Sequence, residues 1–399
     1  MKKVRGLILL LILLYTGLLA GCWNQRELSQ LSMVTAIGID QAAKDKEYRV
    51  SLQVINPSAV AGGQGQGGGE QISPITVYTE TGPTISTAIY KTSQKIPREP
   101  LFTHVQLIII GESFAKRGIQ DLFDLFERSP QARLTSSVLV TKGNDAKSII
   151  STISPSEKIP ANAIMGKVKV TEKLWSENIK ITIDEVIKDL VSKENGLVIS
   201  GITFIGNHKS KEGTSTKLSD ILKIQGMALF KDGKLVRWLE GSDARGVMWI
   251  KNKMESTIYD LDCKEKKYGI SVKNSTSKTN VTVTIKNEKP IFSIHIFTEG
   301  TINEVKCDID LSDPEEVKKL ETQWGDQIKN EIIAAIDVAQ RENSDIYGFG
   351  KIINRTEPKK WKKIKKRWSE TFAESQINVK VDAFIRQTGM RINPYLLQE

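Results

Sequence analysis

The feature that most restricts this chain stands at its start: Lys2, Lys3 and Arg5, then the apolar run Gly6 to Ala20, then small residues directly before Cys22. A charged head, an apolar middle and a small-residue exit are the layout of an export signal. A helix that remains in a bilayer needs about 20 predominantly apolar residues to cross the hydrocarbon core. The run from residue 6 to residue 20 falls short of that and is interrupted by Tyr15, Thr16 and Gly17. Residues 1–21 are therefore expected to leave as a signal peptide, so that the fold is made by the chain from Cys22 onward, on the exported side of a membrane.

The order Leu19-Ala20-Gly21-Cys22 resembles the lipobox of bacterial lipoproteins, in which the cysteine thiol receives a diacylglyceryl group and the peptide bond before it is then cut. Ala20 and Gly21 leave an extended backbone open to a peptidase, and the thiol is the soft nucleophile that can form a lipid thioether. Two acyl chains, at about 0.8 kcal/mol per buried methylene, hold a protein on a bilayer where one would not. Cys22 is the expected lipidation site. The alternative is an uncleaved N-terminal anchor carrying an incidental cysteine. Trp23 either sits at the interface, where an indole has one wet and one apolar side, or belongs to an unstructured tether.

Residues 22 to 399 suffice for two or three domains. With 39% hydrophobic and 26% charged residues the composition is that of a globular protein with a sizeable core. The formal charge of +10 falls by three once Lys2, Lys3 and Arg5 leave. At a membrane surface that surplus favours anionic headgroups over nucleic acid. Cys263 and Cys307 remain, and an exported compartment permits them to pair; the alternative is two small buried thiols.

Met33 to Asp40 and Tyr48 to Ile55 read as strands. Gly63, Gly65 and Gly68 fit G-x-G-x-x-G, but that fingerprint needs a helix starting inside it. Here the chain continues to Ser73-Pro74 and an apparent strand, Ile75 to Tyr78, so Ala61 to Glu70 reads as a flexible loop. Next come a short helix over Ala88 to Gln94, a strand Val105 to Ile110, a helix Ser113 to Arg128 with Phe114, Leu122, Leu125 and Phe126 on its core face, and a strand Leu134 to Val140. Helices near Ala146 to Ile153, Asn162 to Lys173 and Ile183 to Lys193 complete an N-terminal mixed α/β domain, 22–196. A middle region, 197–255, holds a strand Ile202 to Ile205, a polar insertion Asn207 to Thr216 and a hairpin turning at Asp232-Gly233. A C-terminal region, 256–395, carries strands near Ser256 to Leu261, Val281 to Ile285, Ile291 to Phe297 and Thr301 to Ile309, read as an antiparallel sheet. A capping box at Ser312 to Glu315 opens a long helix, whose Val317, Leu320, Trp324, Ile328, Ile332, Ala335, Ile336 and Ala339 share one face. A helix from Pro358 to Phe372 and a strand Ile377 to Ile385 close the chain. The fold expected is α+β, mixed α/β in its first part, with about three domains, mixed and antiparallel sheets and packed helices.

The histidines, His104, His208 and His295, stand apart and fit no metal-ligand spacing. There is no G-x-S-x-G elbow, no P-loop lysine and no recognisable cysteine–histidine pair. No catalytic residue, cofactor or metal is expected. The most unusual charge feature is KKWKKIKKRW, with Lys359, Lys360, Lys362, Lys363, Lys365, Lys366 and Arg367 interleaved with Trp361 and Trp368. It is either a solvated face over a packed apolar stripe or a surface that docks on a membrane or an acidic partner.

Four segments resemble the C-subunit lipoproteins of bacterial spore germinant receptors, the Ger(x)C family: CWNQREL with VTAIGID, Cys22 to Asp40; HVQLIIIGESFAKRGIQDLFDLFER, His104 to Arg128; IQGMALFKDGKLVRWLEGSDARGVMWI, Ile224 to Ile250; and WKKIKKRWSETFAESQINVKVDAFIRQTGM, Trp361 to Met390. Asn24 departs from the aspartate usual there. The resemblance spans the mature chain and implies a non-enzymatic subunit, lipid-anchored on the outer face of the inner spore membrane. It implies partners too, integral membrane A and B subunits, with which the chain senses small nutrients. A solute-binding lipoprotein of a transporter is the alternative and calls for two similar β/α halves. A cell-wall hydrolase is a third reading and needs an acid with a raised pKa in a cleft.

Overall fold

The computed structural model describes residue 6 and residues 27–44, 46–61, 73–129, 131–154, 157–192, 195–205, 221–264 and 266–389. The glycine-rich segment 62–70 and the polar insertion 207–216 lie outside them.

The first sheet is built on short apolar runs. β5 (Leu107–Ile110) and β6 (Ser137–Thr141) are buried along their whole length. Successive side chains point to opposite faces, so Ile108 and Ile110 enter one core while Leu107 and Ile109 enter another. Runs without alternation are what parallel strands covered on both faces require. Together with β1 (Leu31–Gln41), β2 (Tyr48–Ile55), β3 (Ile75–Gly82), β7 (Leu197–Ile205), β8 (Ile221–Lys231) and β9 (Lys234–Leu239) they lie in the order β3-β2-β1-β5-β6-β7-β8-β9, with β4 (Glu99–Leu101) on β1. β1, β5, β6 and β7 run parallel; the flanking strands are antiparallel. The hairpin expected around Asp232-Gly233 joins β8 to β9, and both turn residues have positive φ, 48° and 71°.

The second sheet, in the order β10-β11-β12-β13, comprises β10 (Ile258–Cys263), β11 (Lys266–Lys286), β12 (Lys289–Val305) and β13 (Gln376–Gln387). Its inner face carries Phe292, Ile294 and Ile296 against the helix Pro314–Arg341, whose Leu320, Trp324, Ile328, Ile332, Ala335, Ile336 and Ala339 are buried as the stripe predicts. This core also takes in Val198, Met227, Leu229 and Leu239 from the first sheet and the helix Ser242–Ile250, so the two sheets share an apolar junction.

Several expectations change. The C-terminal sheet is not all antiparallel: β13 pairs parallel to β12, Ile294 beside Val379. The alternation Val379, Val381, Ala383 fixes a face but no direction, and the helical crossover of residues 306–375 is the kind of connection a parallel pair needs. β11 extends far beyond Val281 to Ile285, and the two strands expected over Ile291 to Ile309 are one. The helix expected from Ser113 to Arg128 is two, Glu112–Arg117 and Gln120–Arg128, broken at Gly118, whose φ of 133° suits glycine alone. Asp313, not Ser312, caps the long helix by accepting from the Glu315 amide at 2.9 Å; Ser312 turns back to Asp310. The segment Pro358 to Phe372 is interrupted by a 3-10 turn, Lys365–Arg367. The strands placed in a middle region extend the first sheet, while Ser242–Ile250 joins the second core: a hairpin next to an existing sheet buries more by continuing it than by standing alone.

Candidate functional site

The basic segment is shaped by what lies beneath it. Trp361, Ile364, Trp368 and Phe372 recur at three-to-four spacing and are all buried. Trp361 meets Trp368 edge-on at 5.2 Å between ring centroids, Trp368 meets Phe372 at 6.1 Å, and Phe372 leads through Phe349 to Phe292 of β12. Aromatic pairs at these separations hold their geometry beyond simple area burial. With the apolar stripe turned inward, helical periodicity turns Lys359, Lys360, Lys362, Lys363, Lys365, Lys366 and Arg367 outward, and every one is exposed. Glu357 pairs with Lys360 at 3.2 Å and Glu370 with Arg367 at 2.9 Å. Among the described residues no carboxylate lies within 4.0 Å of the other five cations.

Asp345 anchors this layer. It is fully buried, and its carboxylate accepts from the amides of Tyr347 (3.2 Å), Gly348 (3.0 Å) and Gly350 (2.8 Å) and from Trp368 Nε1 (3.1 Å). Burial pushes its pKa above the ordinary carboxylate value, against the pull of those donors. The Asp345 carbonyl accepts from the Gly196 amide at 2.7 Å and Ser344 Oγ donates to the Phe230 carbonyl at 3.0 Å, so the layer is pinned to the ends of β7 and β8.

The junction of the sheets holds a second polar group. Arg245 Nε donates to Glu331 at 2.9 Å and Nη1 to Glu177 at 2.8 Å, while Glu331 also accepts from Tyr259. Burial opposes the Arg245 charge, but the hydrogen bonds to Glu331 together with the nearby negative charges, Glu331 and Glu177 among them, outweigh it and hold the guanidinium above its ordinary pKa. Gly246 lets the two helices touch: a Cβ there would collide with the Glu331 carbonyl. No motif singles these residues out in the sequence, although Glu331 falls between Ile328 and Ala335 on the apolar stripe, where a lone acid signals a buried cation.

Cys263 and Cys307 are joined, with Cα atoms 6.2 Å apart. Cys22 and Trp23 lie outside the described residues, as does His208. His104 is exposed and His295 lies 2.6 Å from Asp382 on the outer face of the second sheet. Among the described residues no three His, Cys, Asp or Glu side chains converge as metal ligands, and no helix is long and apolar enough to cross a membrane. A surface depression of about 690 Å³ is lined by opposed charges, among them Glu172, Asp184 and Glu255 against Lys180, Lys188 and Lys253.

Two family models cover most of the chain: a spore germination protein N-terminal domain matches residues 24–204, and a spore germination B3/GerAC-like C-terminal domain matches residues 225–389. The chain belongs to the GerAC-like family of spore germination proteins. It is similar to Spore germination protein KC of Bacillus subtilis (strain 168), with 34% identity over 395 residues and 97% of each chain covered. Spore germination protein B3 of the same strain is 24% identical over 377 residues, covering 93% of this chain and 95% of that one. In fold, this GerAC-like chain is similar to the crystal structure of the GerBC protein, with a TM-score of 0.55 over 88% of this chain and 98% of that one, at 19% identity. The two models meet across residues 205–224, so the family boundary falls between β7 and β8, inside the first sheet.

Proposed function

We propose that this spore germination protein is the C subunit of a nutrient germinant receptor, held by diacylglyceryl-Cys22 on the outer face of the inner spore membrane and assembled with integral membrane A and B subunits. The observation that carries the reading is similarity across the whole chain to Spore germination protein KC. The order Leu19-Ala20-Gly21-Cys22 supplies the attachment. A solute-binding lipoprotein calls for two similar halves, whereas a nine-stranded mixed sheet is followed here by a four-stranded one. The work assigned to the subunit is assembly rather than turnover: its buried acids Asp40, Glu331 and Asp345 are engaged by the fold's own donors.

The test is affinity capture from spore membranes in mild detergent, with mass spectrometry of the proteins that accompany the chain. Two multi-spanning proteins, recovered only when Cys22 is present, are the expected result. Recovery with transporter components or wall enzymes, or of the chain alone, overturns it.

A further inference from the structure

We infer that the exposed basic face of residues 359–367 is a docking surface for an anionic lipid bilayer, and that with the N-terminal tether it fixes which end of the molecule faces the membrane. The inference rests on the tether reading for its orientation, but the binding itself does not need the lipid.

The first observation is charge. Seven cations occupy nine consecutive positions, all exposed, and only Lys360 and Arg367 have a carboxylate partner among the described residues. An ordinary solvated helix face intersperses both signs so that cations are locally neutralised. The long helix of this same chain does so, pairing Lys318 with Glu321 and Lys319 with Glu316. Here five lysines have no carboxylate partner among the described residues, on an array held rigid by the Trp361, Trp368 and Phe372 packing below.

The second observation is position. β1, β5, β6 and β7 run parallel, so their N-terminal ends share one end of the first sheet. Residue 27, the first described residue after Cys22, leads into β1 at that end. At the same end Gly196, directly before β7, donates to Asp345, whose carboxylate receives Trp368 of the basic layer. Three strand steps of about 4.8 Å separate β1 from β7, about 14 Å in all. The six residue steps from Cys22 to Leu28 span at most about 21 Å when extended, and the 3-10 helix Leu28–Gln30 adds about 2 Å per residue up to Leu31. A bilayer that holds Cys22 is therefore within reach of the lysines, and the surface attracts cations within a Debye length, about 10 Å at 0.1 M salt.

The occupant is a lipid surface rather than an inserted one. The tryptophans of the segment point inward, leaving lysines as the contact, so the attraction is electrostatic. Each lysine near an anionic leaflet raises affinity about fivefold.

The experiment uses the chain from residue 23 onward, which keeps every strand and removes the acylation site. Binding is measured to vesicles of equimolar phosphatidylglycerol and phosphatidylcholine, and to phosphatidylcholine alone. Binding to the anionic vesicles only, abolished at 1 M salt, is expected. Reversing Lys359, Lys362, Lys363 and Lys366 to Glu lowers that affinity at least about a hundredfold, while reversing the exposed Lys264, Lys266, Lys267 and Lys306, at the end of β11 and β12 away from Ile291 and its partner Gln376, changes it less than about threefold. Circular dichroism confirms that both variants keep the fold. Equal loss in both variants, equal binding to neutral vesicles, or wild-type binding by the first variant overturns the inference. Loss of partner capture without loss of vesicle binding assigns the face to a protein and overturns it too. Whether Cys22 carries lipid is read separately from the mass of the N-terminal peptide, so failure of the tether is distinguishable from failure of the surface.

Discussion

Tyr259 donates its hydroxyl hydrogen to Glu331 at 2.5 Å and accepts one from Trp249 Nε1 at 2.9 Å. This links the first strand of the second sheet to the long helix and to the helix Ser242–Ile250 in one chain of hydrogen bonds. Because Tyr259, Trp249 and Glu331 are all buried, the links exclude water, and each polar atom depends on the next for its partner. Arg245 closes the group from the other side. The junction between the sheets is thus set by directional bonds as well as by apolar area.

Removing Arg245 tests how much of the junction rests on them. Arg245→Ala leaves the Glu331 carboxylate buried without its cation, which costs about 3–5 kcal/mol. For a chain of this size that lowers the midpoint of thermal unfolding by about 5 °C. Arg245→Lys recovers only part of it, because an ammonium cannot span Glu331 and Glu177 as the planar guanidinium does. Differential scanning calorimetry of the three proteins decides the matter; an unchanged midpoint in Arg245→Ala removes the ion pair from the account.

The bond between Cys263 and Cys307 closes a loop of 44 residues that holds all of β11 and β12. Constraining a loop of that length in the unfolded chain contributes about 4 kcal/mol. Replacing both cysteines by Ala is expected to lower the denaturant midpoint accordingly, with the transition slope reporting the more expanded unfolded state. If the exported wild-type protein takes up an alkylating agent at both cysteines without prior reduction, the linkage is not formed there.

Stability should also respond to pH through Asp345. Burial holds its pKa above the ordinary carboxylate value, so the folded chain keeps a proton that the unfolded chain has lost. Its contribution is therefore fully present below the ordinary carboxylate pKa and is lost as pH rises through the raised, folded-state pKa. Asp345→Asn cannot accept from all four donors and is less stable throughout, by about 1–3 kcal/mol. The gap between the two proteins should be widest at acid pH and narrow as pH rises through the raised value. Thermal midpoints over a pH series test the sign; a gap that widens with pH contradicts it.

How far the sequence reached is clearest in the long helix. Its buried stripe, Trp324 included, comes from spacing, because a 3.6-residue period leaves little freedom once a sheet is there to cover, whereas the capping residue proves to be Asp313 rather than Ser312. The hairpin at Asp232-Gly233 is equally legible, since two positive φ angles in succession restrict the turn residues. Strand partners are another matter. β13 has the alternation of any half-buried strand, and although the helices before it are legible, its place beside β12 and its direction there are tertiary facts. The break at Gly118 is hidden because apolar spacing continues across it, and the strands from 197 to 239 carry nothing local that assigns them to the first sheet. In the candidate site the exposed cations are legible from periodicity. Their anchoring through Asp345 is not, because its partners are backbone amides and a tryptophan 23 residues away.

The tether makes the last prediction. If Cys22 accepts the diacylglyceryl group, Cys22→Ala blocks both acylation and the cleavage that depends on it, and the chain persists as a precursor retaining residues 1–21. Electrophoresis of radiolabelled-palmitate cultures then shows label on the wild-type chain and none on the variant, which migrates more slowly. The described fold begins at residue 27, beyond the substitution, so the purified variant is expected to unfold at the wild-type temperature. That separates loss of attachment from loss of structure: defective germination in a variant of unchanged stability is assigned to the anchor. Lipid label on the variant, or a mature N-terminus at another residue, removes Cys22 from that role.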